Sequence, residues 1–414
     1  AFNKEKGTAV DVRGSLTING SGKVLCEGPV GEANAAVFVQ DGGKVEINDG
    51  YYYSKNGNSC IYVQGGKVTG HTITIGGEVK PLYYGGGIVE INGGVFEAEA
   101  SKFVLNQNDY IENESCFSVK GGIFVGFNPA DVNECHGKVT SFVADGYKAV
   151  ETTYDGKQAW EVVAIPAVGT QDDFNAALND VKAGESATIC LGSGEFTTYN
   201  KAIAQGKTLK FVGKGAETTT FVCGRDLTKT GEYRADYSLE NSDVVFSNLK
   251  LDVGTADYLG FIRAKSLTFK NCVIDGRLSY MGVGKVVFKD CTFNQTNADY
   301  NLWTYSGNEF VFETCTFNSV GKFLNLYKDG GQIEYKVTIK NCTFNSSMVN
   351  KSALELKKNA DKTYEVYFEG KNTCTNIRES TLTGSMLYNS NEGETDSVVY
   401  VDGKKVWEKG AKVE

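Results

Sequence analysis

One eight-residue frame recurs along the C-terminal half of the chain: VVFSNLKL at 244–251, LTFKNCVI at 267–274, VVFKDCTF at 286–293, FVFETCTF at 310–317 and VTIKNCTF at 337–344. Its template is apolar-x-apolar-x-polar-Cys-x-apolar. The central positions, Leu249, Cys272, Cys291, Cys315 and Cys342, are 23, 19, 24 and 27 residues apart. Alternation such as Phe288 followed by Lys289 marks a strand with one buried face. The residue before each cysteine position (Asn248, Asn271, Asp290, Thr314, Asn341) breaks the alternation and predicts a bend. Each frame then reads as one rung of a parallel β-solenoid, and rungs stacked about 4.8 Å apart predict inward ladders of Phe, Asn and Cys.

The N-terminal half repeats a glycine-rich frame: LTINGSGKV at 16–24, VEINDGYYY at 45–53, VEINGGVF at 89–96 and FSVKGGIF at 117–124. Anchors Ile18, Ile47, Ile91 and Val119 are 29, 44 and 28 residues apart. The long interval predicts two rungs, with TITIGGEV at 72–79 as a degenerate copy between them. Glycines supply positive φ at the strand corners. Residues 170–182 form the one convincing amphipathic helix. Phe174, Ala177, Leu178 and Val181 share a face, and Thr170 or Asp172 is the N-cap. Such a helix covers the open apolar end of a solenoid. YDGKQAWEV at 154–162 and VDGKKVWEK at 401–409 share D-G-K-x-x-W-E, a hairpin signal that places Trp160 and Trp407 on return strands. The expected organisation is all-β. A glycine-rich solenoid over 1–165 and a second solenoid over 166–414 are each closed by a DGK hairpin.

Composition narrows function by exclusion. Among 414 residues the formal net charge is −9, which gives a phosphate-tracking surface no support, so nucleic acid is not an expected partner. No apolar run is long enough to span a membrane, and none is expected to insert. The chain opens at Ala1-Phe2, which leaves a removed leader and export open. Only two histidines, His71 and His136, accompany 11 scattered cysteines with no C-x-x-C pair, so no Cys/His metal centre is expected. The cysteines read as a column of small buried side chains rather than disulfides.

The segment TLKFVGKGAETTTFV at 208–222, followed by the rung series, resembles the right-handed parallel β-helix superfamily of pectate-lyase-like proteins over roughly residues 170–375. Residues 127–163, with FNPAD, FVADGYKAVE and the DGK hairpin, are similar to a module that ends β-helix repeats in proteins of gut bacteria and their phages. That resemblance implies an extracellular virion appendage or cell-surface fibre, and homo-oligomers, trimers among them. Pectate lyases place acidic calcium ligands and a basic residue on the flank of the coil. The nearest counterparts here are Asp275 and Arg277 in CVIDGRLSY, with Asp252 or Asp290 on neighbouring rungs, and Asp275-Gly276 is also a plain turn. No cofactor is expected, and calcium is the one ion that the resemblance allows.

Carboxylate pairs for glycosidic cleavage would be Asp275 with Asp299, or Glu309 with Glu313. Cys135 and His136 are adjacent and point to opposite faces of a strand, which ill suits a nucleophile and base. Binding has the better motif. Asp299-Tyr300-Asn301-Leu302-Trp303-Thr304-Tyr305 sets three aromatics beside amide and carboxylate groups, a composition suited to stacking on sugar rings. The alternative is a further strand, with Trp303 or Tyr305 packed inward. Tyr51-Tyr52-Tyr53 and Tyr83-Tyr84 carry the same ambiguity. The expected function is a non-enzymatic, adhesive rod that binds a cell-surface polysaccharide. A polysaccharide lyase or hydrolase is the competing class, and a self-assembling filament or lattice subunit the third.

Overall fold

The computed structural model describes residues 2–3, 7–28, 34–40, 42–57, 59–64, 66–75, 78–84, 87–99, 103–108, 115–132, 139–198, 206–225, 237–254, 259–278, 281–295, 300–304, 307–320, 323–326, 334–346, 354–356, 363–375, 387–389, 398–408 and 411–413. The protein is all-β with largely parallel sheets, and one α-helix occurs among the described residues. The chain divides into two compact units, Ala1–Ile165 and Pro166–Glu414.

In the C-terminal unit each repeated frame is a strand of one sheet, a corner, and a strand of a second. Ser266–Lys270 is followed by Val273–Gly276, Lys285–Lys289 by Thr292–Asn294, and Glu309–Glu313 by Thr316–Ser319. Short strands of a third side then lead back to the first sheet, one strand further along. Pairing between successive circuits is parallel and in register, as in Phe269↔Phe288↔Phe312 and Ile274↔Phe293↔Phe317. The inward residues therefore stack on their own kind. Phe288 lies 4.6 Å from Phe269 and 5.2 Å from Phe312, with ring planes within 4° and 2° of parallel. Such pairs add about 0.5–1.5 kcal/mol each beyond area burial.

The corner is where sequence and backbone meet most directly. Asn248, Asn271, Asp290, Thr314 and Asn341 all lie in the left-handed region, with φ between 49° and 55°. Asn and Asp tolerate this conformation because a short polar side chain can bond locally. The next side chain turns inward, and Cys272, Cys291, Cys315 and Cys342 are buried free thiols. The Cys291 thiol donates to the carbonyls of Phe269 and Lys289 at 3.4 and 3.3 Å, and Cys315 repeats this with Phe288 and Glu313. Burial pushes the Cys272 and Cys315 thiols up, which keeps them protonated. In the last such corner Asn372 takes the thiol's place, and its amide donates to the carbonyls of Ile339 and Glu369.

The expectation of inward asparagines is corrected at the corners, where Asn271 and Asn341 are exposed and Asn248 is half-buried, the Asn271 amide donating to the Asn248 side-chain oxygen at 2.8 Å. A second outward column lies on the strands that follow. Asn294, Asn318 and Asn345 stand on the outward side of the second sheet, and each amide donates to the preceding rung. The steps are Asn345 to Asn318 at 3.1 Å, Asn318 to Asn294 at 2.9 Å, and Asn294 to Asp275 at 3.0 Å. Inward placement would have stripped these amides of water inside an apolar core. On the first sheet the two flanking outward columns are charged instead, Lys285, Glu309, Lys336 and Glu365 in one and Lys289, Glu313, Lys340 and Glu369 in the other, with the uncharged column Val287, Val311, Thr338 and Tyr367 between them.

The N-terminal unit follows the same plan with glycine at the corner. Ile18, Ile47, Ile91 and Val119 are in register in its first sheet, and Tyr52, Phe96 and Phe124 stack inside the second at 4.9 and 5.0 Å. Gly94 has φ +104°, and a Cβ there would sit 2.9 Å from the Gly50 carbonyl oxygen, so the corner admits no side chain. The reading of 72–79 as a rung is overturned. Gly66–Ile75 and Glu78–Tyr84 pair with each other as an antiparallel hairpin, while Ile88–Ile91 pairs directly with Lys44–Ile47. The 44-residue interval is one circuit carrying an inserted hairpin.

Helix Gln171–Asp180 is capped by Thr170, whose hydroxyl accepts from the Asp173 amide. Its buried Phe174 meets Phe196, Phe211 and Phe221 edge-on at about 6 Å, and so covers the first strands of both sheets. Both DGK segments are antiparallel hairpins. Asp155-Gly156 and Asp402-Gly403 all have positive φ, as a type I′ turn requires. Trp407 packs on the C-terminal core opposite Val399, and Trp160 lies opposite Phe124.

Candidate functional site

On the third side of the C-terminal unit the strands Leu302–Trp303, Leu324–Leu326, Leu354–Leu356 and Leu387–Asn389 pair in parallel. Leu302 and Leu324 are fully buried core residues. The positions after them, Trp303 and Asn325, are partners in register, so both belong to the opposite, outward face. Leu278 forms a parallel bridge to Leu302, which brings Arg277 beside the same stretch.

The aromatic stretch is more deeply packed than its composition suggests. Tyr300 is 9% exposed and Arg277 7%, with the guanidinium carbon 5.5 Å from the Tyr300 ring centre. Tyr300 in turn meets Trp303 edge-on at 6.2 Å. Asn301 is fully buried and donates to the Asn318 carbonyl at 3.3 Å. Thr304 is buried as well, its hydroxyl 3.4 Å from the Asn325 carbonyl oxygen. Trp303 remains half-buried. Asp299 and Tyr305 lie outside the described residues.

Asn325 is the residue that sequence reasoning missed. It has no exposed surface, yet neither the oxygen nor the nitrogen of its amide has a hydrogen-bond partner. An unmet buried amide costs roughly 1–3 kcal/mol. Nothing local in NLYKDG marks it; only the pairing with Trp303 does. The Asn301 oxygen, buried nearby in the chain, is also unmet.

The carboxylates proposed for chemistry are otherwise engaged. Asp275 accepts from Asn294 as the terminus of the amide ladder. Its neighbour in register, Asp252, accepts from the Gly254 amide at 2.8 Å. Calcium binds six to eight oxygens, of which Asp252 and Asp275 offer two carboxylates. Among the described residues no group of three or more His, Cys, Asp or Glu could hold a metal ion. Glu309 pairs with Lys285 at 3.1 Å, and Glu313 with Lys340 at 2.8 Å and Lys289 at 3.6 Å. Four residues apart on one strand, Glu309 and Glu313 stand about 13 Å from each other along the backbone, too far for a carboxylate pair across one glycosidic bond.

In the N-terminal unit, Tyr51 and Tyr53 are outward and half-buried, and Tyr52 is inward. The Tyr51 hydroxyl donates to Glu97 at 2.7 Å, and Tyr53 donates to Glu99. Lys157, from the hairpin, reaches Glu97 from the other side. Burial raises the Tyr51 hydroxyl well above its ordinary range, so it cannot serve as a base near neutrality. This cluster anchors the hairpin to the sheet. Tyr83 and Tyr84 lie on the inserted hairpin, as does His71, whereas Cys135 and His136 fall outside the described residues.

No helix among the described residues is long and apolar enough to cross a membrane. In comparisons with known proteins, no family model matches the chain and no curated protein is similar to it.

Proposed function

We propose that the chain is a right-handed parallel β-helix protein of the pectate-lyase-like kind with an adhesive role. It presents a glycan-binding face on the third side of its C-terminal unit, at the surface of a virion appendage or a bacterial cell. Strands that visit three sheets in rotation are what such a coil requires, and parallel crossovers are right-handed almost without exception. The resemblance of residues 127–163 to β-helix-ending modules supports the surface location.

The observation that carries the glycan reading is the unmet, fully buried amide of Asn325 in register with half-buried Trp303. The indole face of half-buried Trp303 suits a sugar ring, and the Asn325 amide, which has no surface of its own, meets sugar hydroxyls only once ligand binding opens the site above it. Sites kept for a ligand are retained at a cost to stability.

The test is retention of the purified protein on host-surface and plant polysaccharides, with and without calcium, followed by product masses. Retention without shortened products is expected. Trp303→Ala should weaken it about tenfold, in line with loss of one stacking contact. Asn325→Leu should abolish it without lowering the thermal midpoint, because an apolar residue removes the unmet amide. Failure to bind any polysaccharide, or release of new oligosaccharides, overturns the reading.

A further inference from the structure

Charge in the C-terminal unit is segregated by face. Over the circuits from 285 to 375, both flanking columns of the first sheet are charged on every strand, and neighbours pair as Lys285–Glu309 and Lys340–Glu313. On those same circuits every outward position of the second sheet is uncharged. The columns are Thr292, Thr316 and Thr343 beside Asn294, Asn318 and Asn345, and the strand Thr373–Thr375 continues both with threonine. The first six are half-buried.

We infer that this threonine–asparagine face is where two copies of the chain associate, packed face to face about a two-fold axis. Three physical points lead there. Depletion of charge distinguishes the centre of an interface from ordinary surface, and here it is complete on one face, whereas the next carries two charged columns. The asparagine amides bond one another along the stack with one N–H each, and the second N–H of each, with the threonine hydroxyls, is left to bond the same groups on the facing copy. The face also repeats at the rung spacing of about 4.8 Å, and contacts stay in phase over several rungs only against a surface of equal period. A second copy supplies that period, and a two-fold pair is the commonest closed arrangement. The strip is narrow beside a standard interface of about 1,600 Å², so the association is weak and depends on concentration. None of this rests on glycan binding.

Sedimentation velocity on the full chain, from micromolar to near-millimolar concentration, tests it. A reversible monomer–dimer shift is expected. Thr316→Lys and Thr343→Lys, each placing a charge at the centre of the strip, should hold the protein monomeric, and Lys285→Glu on the charged face should leave the shift unchanged. Circular dichroism identifies any variant that fails to fold, and having two lysine variants keeps the comparison available. A wild-type chain that stays monomeric throughout, or a dimer that survives in a folded lysine variant, overturns the inference.

Discussion

At the scale of single residues the corner positions carry the tightest constraint. Five of them adopt φ near +50°, and four are filled by Asn or Asp, whose side chains tolerate it. Thr314 is the exception, a β-branched residue at φ 55°. Its Cβ crowds the carbonyl oxygen in this region at a cost of roughly 1–2 kcal/mol, which Asn partly relieves. Thr314→Asn should therefore raise unfolding stability by about 1 kcal/mol, read as a higher denaturant midpoint with an unchanged slope. A lower midpoint would show that the threonine makes a compensating contact. The same frame showed the cysteines as small buried side chains, because alternation alone separates inward from outward positions. It did not show which way the asparagines face. A left-handed corner interrupts the alternation, so the direction of the corner asparagines is visible only in the backbone.

At the scale of elements, the first sheet is held on its outside by ladders of alternating charge. Burial opposes ionisation of Glu313, but Lys340 and Lys289 outweigh it and hold the carboxyl below its ordinary range. A carboxyl whose folded value is depressed contributes stability above its unfolded value of about 4.3, and that contribution is lost as pH falls through the folded value. Glu97, held between Lys157 and Tyr51 despite its burial, behaves in the same way. Thermal midpoints should fall as pH is lowered from about 5 toward 3, and Glu313→Gln should flatten part of that slope. An unchanged slope would assign the acid sensitivity to other groups. The helix and both hairpins were legible from caps, periodicity and Asp-Gly turns. The inserted hairpin was not, because TITIGGEV has the alternation and glycines of a rung and differs only in what it pairs with.

At the scale of the whole molecule, the two buried cores do not share residues. The N-terminal cluster runs from Val12 to Val162, and the C-terminal one from Phe174 to Val399. Separate cores of unequal size predict that guanidinium unfolding proceeds in two steps. A Trp160→Phe variant keeps only Trp303 and Trp407, and its fluorescence should follow the C-terminal unit alone while circular dichroism follows both. Coincident transitions by the two probes would show that the units unfold together.

The division of information between sequence and structure follows from range. Period, corner chemistry and capping are written in neighbouring residues, and these determined an all-β chain whose strands pair largely in parallel. What lies beside what across successive circuits depends on register between segments 20 to 40 residues apart, with connections of varying length. Only the tertiary structure joined Asn325 to Trp303, assigned Asp275 to an amide ladder rather than to chemistry, and laid uncharged threonine and asparagine columns beside charged ones. Each of those features is a contact between rungs, and no single rung contains it.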